Sequence, residues 1–290
     1  MKRYVPLAVA CAFLFGLVTS IDAHIGKPRY AFQFPDDMIP DVTDGDLSDW
    51  DIVPEAYWIT ADQMTNQFGA PMDLSDFNCR FAWGWNPTTN KLYFGVWFYD
   101  DMAHGTEHWS IEVDASHSGA QYDGFKDMTE EEVKRWKNAR AQKYDLAAPL
   151  TDPKKGYRCR CANAATWVME PEWTAWGGRV VSGVPDDFET PDELIAEFYC
   201  TPWEDLNWMG PDVSKIVKLE EGKIVGMETN RGDKDADPGK YDDAYWRTFG
   251  GVNAWKFADQ MGDLILAPLE EVKPAVRSAT WARIKWDISH

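Results

Sequence analysis

The chain has 290 residues and carries 48 acidic against 29 basic side chains, a formal charge of −19. So acidic a protein repels phosphate backbones and anionic lipid surfaces, which argues against nucleic acid and membrane surfaces as partners while leaving neutral ligands open.

Met1-Lys2-Arg3 forms a basic start, Val5–Val18 an apolar run, and Ala23 a small residue suited to cleavage. This pattern predicts a signal peptide over residues 1–23, with a mature chain beginning at His24 that is secreted, periplasmic or held at the cell surface. The apolar run is short for a membrane span, Cys11 sits too early in it for a lipoprotein site, and no second run of spanning length follows, so no membrane insertion is expected. Loss of Lys2, Arg3 and Asp22 leaves 27 basic and 47 acidic residues, a formal charge of −20. Residues 24–290 contain no low-complexity linker or repeat, and are expected to form one large β domain with inserted loops.

Within Val42–Thr60, Asp44-Gly45-Asp46 is a turn signal, Leu47 and Trp50 are apolar anchors, and Pro54 stops a helix. Next, Cys79–Trp85 alternates Phe81, Trp83 and Trp85 with Arg80, Ala82 and Gly84. After the polar turn Asn86–Asn90, Lys91–Asp101 alternates Leu92, Phe94, Val96 and Phe98 with Tyr93, Gly95, Trp97 and Tyr99. The period of two predicts a hairpin, and Ser110–Asp114 alternates again as a third strand of the same sheet. With the aliphatic parity inward, Tyr93, Trp97 and Tyr99 lie beside Ala82 and Gly84 with Glu112 at the edge, a flat trough suited to a sugar ring. The alternative is that a second layer covers these rings as core.

Asp114–Gly119 places oxygen ligands at alternate positions before a glycine, as calcium loops begin, but Phe125 stands where the bidentate glutamate belongs; Asp123 is the nearby substitute. Thr129 and Glu132 form a capping box that predicts an inserted helix over residues 129–143, with Val133 and Trp136 inward. His104 and His108 fall in a loop without the His-Glu-x-x-His pattern, which argues against a zinc protease. Trp167, Trp173 and Trp176 precede Gly177-Gly178, read as a glycine hairpin turn, and Trp176 is a candidate wall of a binding cleft.

Cys79, Cys159, Cys161 and Cys200 are an even set in an exported chain, which predicts disulfides; three connectivities are open. Arg231-Gly232-Asp233 reads as a turn. Asp233, Asp235 and Asp237 alternate before Gly239, with Asp242 and Asp243 behind, a second set of hard oxygen ligands that favours calcium over zinc. No Gly-x-Ser-x-Gly signature occurs, and 47 acidic side chains give no means of picking a glycosidase pair.

The order Asp44-Gly45-x-Leu47-x-Asp49-Trp50, then Pro54, a hairpin ending in Asp100-Asp101, and Ile111-Glu112-Val113-Asp114 resembles the family 9 carbohydrate-binding modules and their DOMON-like relatives. Ala196–Leu206, Gly222–Asn230 and Ser278–Ser289 resemble that family's late, following and closing strands. The resemblance implies an all-β, antiparallel β-sandwich of jelly-roll or DOMON-like kind that binds poly- or oligosaccharide in carbohydrate catabolism, often with calcium and often joined to a glycoside hydrolase. Two departures stand out: the inserted helix, and the lack of a catalytic domain. The expected sugar-binding residues are Tyr93, Trp97, Tyr99, Glu112 and Trp176, and the expected metal ligands Asp114, Asp123, Asp233, Asp235 and Asp237. Alternatives are a haem-binding DOMON-like redox domain with Met102, His104 or Met128 as ligands, a glycoside hydrolase on the same scaffold, and a copper monooxygenase with His24 at the mature N-terminus.

Overall fold

Alternation along residues 77–100 produces the hairpin the sequence predicts: β4 (Phe77–Asn86) and β5 (Lys91–Asp100) pair antiparallel from Phe77 opposite Asp100 to Asn86 opposite Lys91. The Asn86 carboxamide oxygen accepts the backbone N–H of Thr88 and Thr89, and Asn90 takes φ +53° to close the turn. The computed structural model describes residues 25–102, 107–147, 158–161, 165–183, 191–235 and 244–270. The expected signal peptide, His24, His104, Asp237 and the closing strand Ser278–Ser289 lie outside the described residues.

The other edge of β5 is taken by β10 (Asp192–Cys200), which pairs in turn with β9 (Thr174–Ser182). With β4 and β10 flanking β5, the third predicted strand has no edge there. β6 (His108–Asp114) instead lies in the opposing layer, between β7 (Gln142–Ala147) and β13 (Ile224–Asp233). β8 (Arg158–Cys161) extends that layer beyond β7, while β14 (Ala244–Arg247) and β15 (Gly262–Leu266) pair with β13. One strand belongs to both layers: β1 (Arg29–Gln33) pairs parallel with β15 through Arg29–Ala31 and parallel with β4 through Phe32–Gln33. The architecture is a β-sandwich, antiparallel apart from β1.

Phe81, Trp83, Phe94, Val96 and Phe98 of the first layer meet Trp109, Ile111, Val113, Tyr144 and Met227 of the second in one buried core. The inward parity is the predicted one. The outward parity is not open to solvent. Phe34, Leu47, Trp50, Val53 and Trp58 fold over the first layer as a second apolar cluster with Tyr93 and Trp97. The small residues of the trough are sockets for this cover: a Cβ on Gly95 would stand 2.5 Å from Trp50 Cε2, and one on Gly84 2.1 Å from Phe34 Cε2.

Gly177 and Gly178 are not a hairpin turn but lie inside β9, where a Cβ on Gly177 would stand 2.5 Å from the Val42 carbonyl oxygen; their bareness lets the Val42–Gly45 turn rest on the strand. The capping box forms as predicted, with the Thr129 hydroxyl accepting from Glu132 N and the Glu132 carboxylate from Thr129 N. The helix, α1 (Glu130–Trp136), is shorter than expected because Asn138 takes φ +57° and Gln142 already begins β7. Val133 and Trp136 are half-buried rather than core. No disulfide joins Cys79, Cys159, Cys161 or Cys200 among the described residues, contrary to the expectation, and Cys79 donates to Met64 Sδ at 3.6 Å.

Candidate functional site

The short helix and its neighbours frame a cleft of about 500 Å³ at one end of the second layer. Arg135 and Trp136 come from the end of α1 and Arg140 from the link to β7. Glu204 and Asp205 come from β11 (Trp203–Asp205), Lys215 from its hairpin partner β12 (Lys215–Ile216), and Ser116 and Ser118 from the turn after β6. Backbone bonds fix these pieces together: Asn138 N donates to Tyr122 O, and Leu206 N to Ala139 O. The Gln142 amide donates to Trp203 O at 2.9 Å. The Arg135 guanidinium grips Asp205 through two bonds of 2.9 and 2.7 Å, and the Arg135 and Arg140 guanidinium carbons lie 4.5 and 5.3 Å from the Trp136 ring centroid. The cleft therefore offers an indole held in place by two cations, with hydroxyl, carboxylate and ammonium groups around it.

A second constellation lies at the opposite end of the β4–β5 hairpin from its turn. Asp76, Asp101 and Asp235 bring carboxylate oxygens within 4.8 Å of one another, and so do Asp100, Asp233 and Asp235. An ion bound to oxygen at about 2.3–2.6 Å spans such separations. Arg231, fully buried, donates to Asp100 at 3.0 Å and to Glu107 at 2.6 Å, while Trp246 Nε1 donates to Asp233 Oδ2 at 3.0 Å. These bonds leave Asp233 Oδ1 and Asp101 Oδ1 buried and without a hydrogen-bond partner. Burial and the neighbouring carboxylates push Asp101 up to about 6, Asp233 to about 7 and Asp235 to about 8. Excess negative charge, orphaned oxygens and an all-oxygen donor set fit a hard divalent cation.

The residues expected from sequence fall in several places. Tyr93 is 2% and Trp97 5% exposed, so neither offers a ring face to a ligand. Their polar atoms are also used internally, Trp97 Nε1 donating to Glu193 at 2.7 Å and the Tyr93 hydroxyl bonding Thr89. Tyr99 is half-buried at the rim of the same cover, and Trp176 is half-buried against the main core. Glu112 belongs to the other layer, where it is fully buried and accepts from Asn230 at 3.3 Å. Its cross-strand neighbour Glu228 is equally buried and accepts backbone N–H groups of Thr248, Phe249 and Gly251, so Glu228 organises a turn and both carboxyls lie in the interior. Arg231-Gly232-Asp233 is strand β13, not a turn.

Of the expected metal ligands, Asp233 and Asp235 are brought together. Asp114 accepts Gly119 N and Ser116 Oγ within its own turn, and Asp123 accepts Gly124 N and faces Lys137 at 3.3 Å. Met102 sits beside the acidic cluster, its N–H donating to Asp100, whereas Met128 is 39% exposed ahead of α1. Asp76 and Glu107 join from distant positions; the Asp233 run was the cluster's signal in sequence, and Asp100-Asp101 stood out only as part of the family-like motif. The cleft was not signalled in sequence, where Trp136 read as an inward-facing residue of the inserted helix.

No protein-family model matches the chain, and no curated protein matches it in sequence. Among solved structures the chain is similar to a family 9 carbohydrate-binding module from Caldicellulosiruptor kristjanssonii in complex with cellotriose. Identity is 14% and the TM-score 0.50, over 84% of this chain and 96% of that one. It is also similar to a family 9 module of the same organism in complex with glucose, at 14% identity and a TM-score of 0.49, over 86% of this chain and 100% of that one. The first likeness defines the class by fold: a β-sandwich like that of a family 9 carbohydrate-binding module.

Proposed function

We propose that this chain is a carbohydrate-binding protein and that its saccharide site is the cleft beside Trp136. The observation that carries the reading is the composition of that cleft: a half-buried indole fixed by Arg135 and Arg140, with Ser116, Ser118 and Glu204 supplying acceptor oxygens and Lys215 a donor. A sugar ring needs an apolar plane for its C–H face and polar partners for its hydroxyls, and a volume of about 500 Å³ has room for a short oligosaccharide. The fold shared with a family 9 module in complex with cellotriose supports the same reading. Export through residues 1–23 and work beside glycoside hydrolases in carbohydrate catabolism complete the proposal, resting on the leader pattern and on the family resemblance. Asp76, Asp101 and Asp235, or Asp100, Asp233 and Asp235, would hold a calcium ion as its structural complement, and the ion would neutralise an end of the sandwich that is otherwise overcharged.

The test is calorimetric titration of the mature chain, residues 24–290, with soluble oligosaccharides and depolymerised plant and algal polysaccharides. Binding that is lost in Trp136→Ala, with the thermal midpoint kept, supports the proposal. Binding unchanged in that variant removes the cleft from it, and failure to bind any glycan overturns it.

A further inference from the structure

The charge around the cleft is unlike that of the chain as a whole. Arg135 and Asp205 neutralise each other through their two-bond fork. That leaves Arg140 and Lys215 as the cations and Glu204 as the anion facing the space. Arg140 and Lys215 engage in no ion pair among the described residues, and both are exposed. Two cations against a single carboxylate converge on one opening, a local excess of positive charge in a mature chain of formal charge −20.

We propose that the cleft selects an anionic sugar unit, one bearing a carboxylate or a sulfate ester, with Arg140 and Lys215 as its specificity-determining residues. The inference rests on the saccharide reading of the same cleft. A guanidinium presents parallel N–H groups matched to a planar carboxylate or to two oxygens of a sulfate, and an ammonium adds a compact charge beside it. Arg140 is steered by Trp136, whose ring centroid lies 5.3 Å from its guanidinium carbon, so its charge is held over the cleft and not free in solvent. The acidity of the remaining chain does not cancel this attraction, because charges more than about 8 Å away are largely screened at physiological salt while those lining the cleft act directly on a ligand within it. Ser116 and Ser118 then face the ligand's hydroxyls.

The experiment titrates the mature protein, at low and at high salt, with three oligosaccharides of equal length: a neutral β-glucan, a uronate and a sulfated galactan. The inference expects one or both anionic ligands to bind about tenfold more tightly than the neutral one, about 1.4 kcal/mol, a preference that fades as salt screens the charges. Which anionic arm binds tells carboxylate from sulfate. Arg140→Gln is expected to erase the preference, lowering anionic affinity about tenfold relative to neutral affinity measured in the same variant, whereas Glu204→Gln, by removing the one facing carboxylate, is expected to strengthen anionic binding. A gain in that second variant cannot come from misfolding. Equal affinity for neutral and anionic ligands, or an anionic preference that survives Arg140→Gln and Lys215→Ala together, overturns the inference while the saccharide reading stands. Failure of all three ligands to bind overturns both.

Discussion

Trp50 Nε1 donates to Glu197 Oε1 at 2.9 Å across the outer face of the first layer, joining the covering segment to β10 by a bond between an indole and a fully buried carboxyl. Burial, with Asp44 and Asp49 near by, pushes Glu197 up to about 8, although the Trp50 bond works the other way. A carboxyl raised above its unfolded value of about 4.3 keeps its proton in the folded state after the unfolded chain has lost it. Its contribution to stability is therefore fully present at low pH and is lost as the pH rises through about 8. Glu197→Gln preserves the acceptor for Trp50 without the titration. Thermal denaturation is expected to show the wild type losing ground to this variant between about pH 5 and about pH 8, and a constant difference across that range would contradict the account.

The same cover gives a steric prediction. Gly95→Ala places a methyl group 2.5 Å from the Trp50 indole, in a strand that has no room to shift between β4 and β10. Overpacking of this kind costs about 1–3 kcal/mol, which denaturant unfolding resolves as a lower midpoint with an unchanged slope. An alanine variant as stable as the wild type would mean that Trp50 does not rest on Gly95.

At the acidic end, calcium is expected to raise the thermal midpoint and a chelator to lower it. A ligand at a hundred times its dissociation constant adds about 2.7 kcal/mol to the folded state. Asp233→Asn, which keeps an acceptor for Trp246 Nε1 but removes a charge, is expected to reduce the calcium increment while making the calcium-free protein more stable, since one repelling carboxylate is gone. Differential scanning calorimetry with and without calcium measures both; no increment in the wild type removes the ion from the description.

Arg231 gives a contrasting case. It is bonded to Asp100 and Glu107 in the buried interior, and its guanidinium carbon lies 4.9 Å from the Phe98 ring centroid. Arg231→Met keeps the stem but strands two carboxylates, and breaking a buried pair from one side costs about 3–5 kcal/mol. Equilibrium unfolding is expected to show a loss of that size, partly recovered at acidic pH where Glu107, already raised by burial, takes up a proton.

Strand parity was legible in the chain from Phe77 to Asp114, since alternation of Phe81, Trp83, Phe94 and Phe98 with small and aromatic residues admits one inward face. What covers the other face was not. Gly84 and Gly95 read equally well as the floor of an open trough or as sockets for rings from elsewhere, and only the position of Phe34 and Trp50 separates the two. The Thr129–Glu132 cap was legible because it is local; the helix end was not, because it depends on Asn138 adopting a left-handed conformation that its neighbours do not dictate. The acidic cluster shows the same division. Asp100-Asp101 and the Asp233 run stand out as oxygen-rich, but their convergence with Asp76 is a product of the β4–β5 register and the far end of β13.

The strand shared by the two layers also sets the order in which the protein can be completed. Arg29–Ala31 waits for Leu264–Leu266, more than two hundred residues later, while Phe32–Gln33 needs only Gly84–Trp85. A chain emerging from the ribosome or a translocation pore therefore closes one side of this strand early and holds the other as a bare edge until nearly the whole polypeptide is out. Any truncation before residue 262 leaves that edge without its natural partner and open to pairing with another molecule.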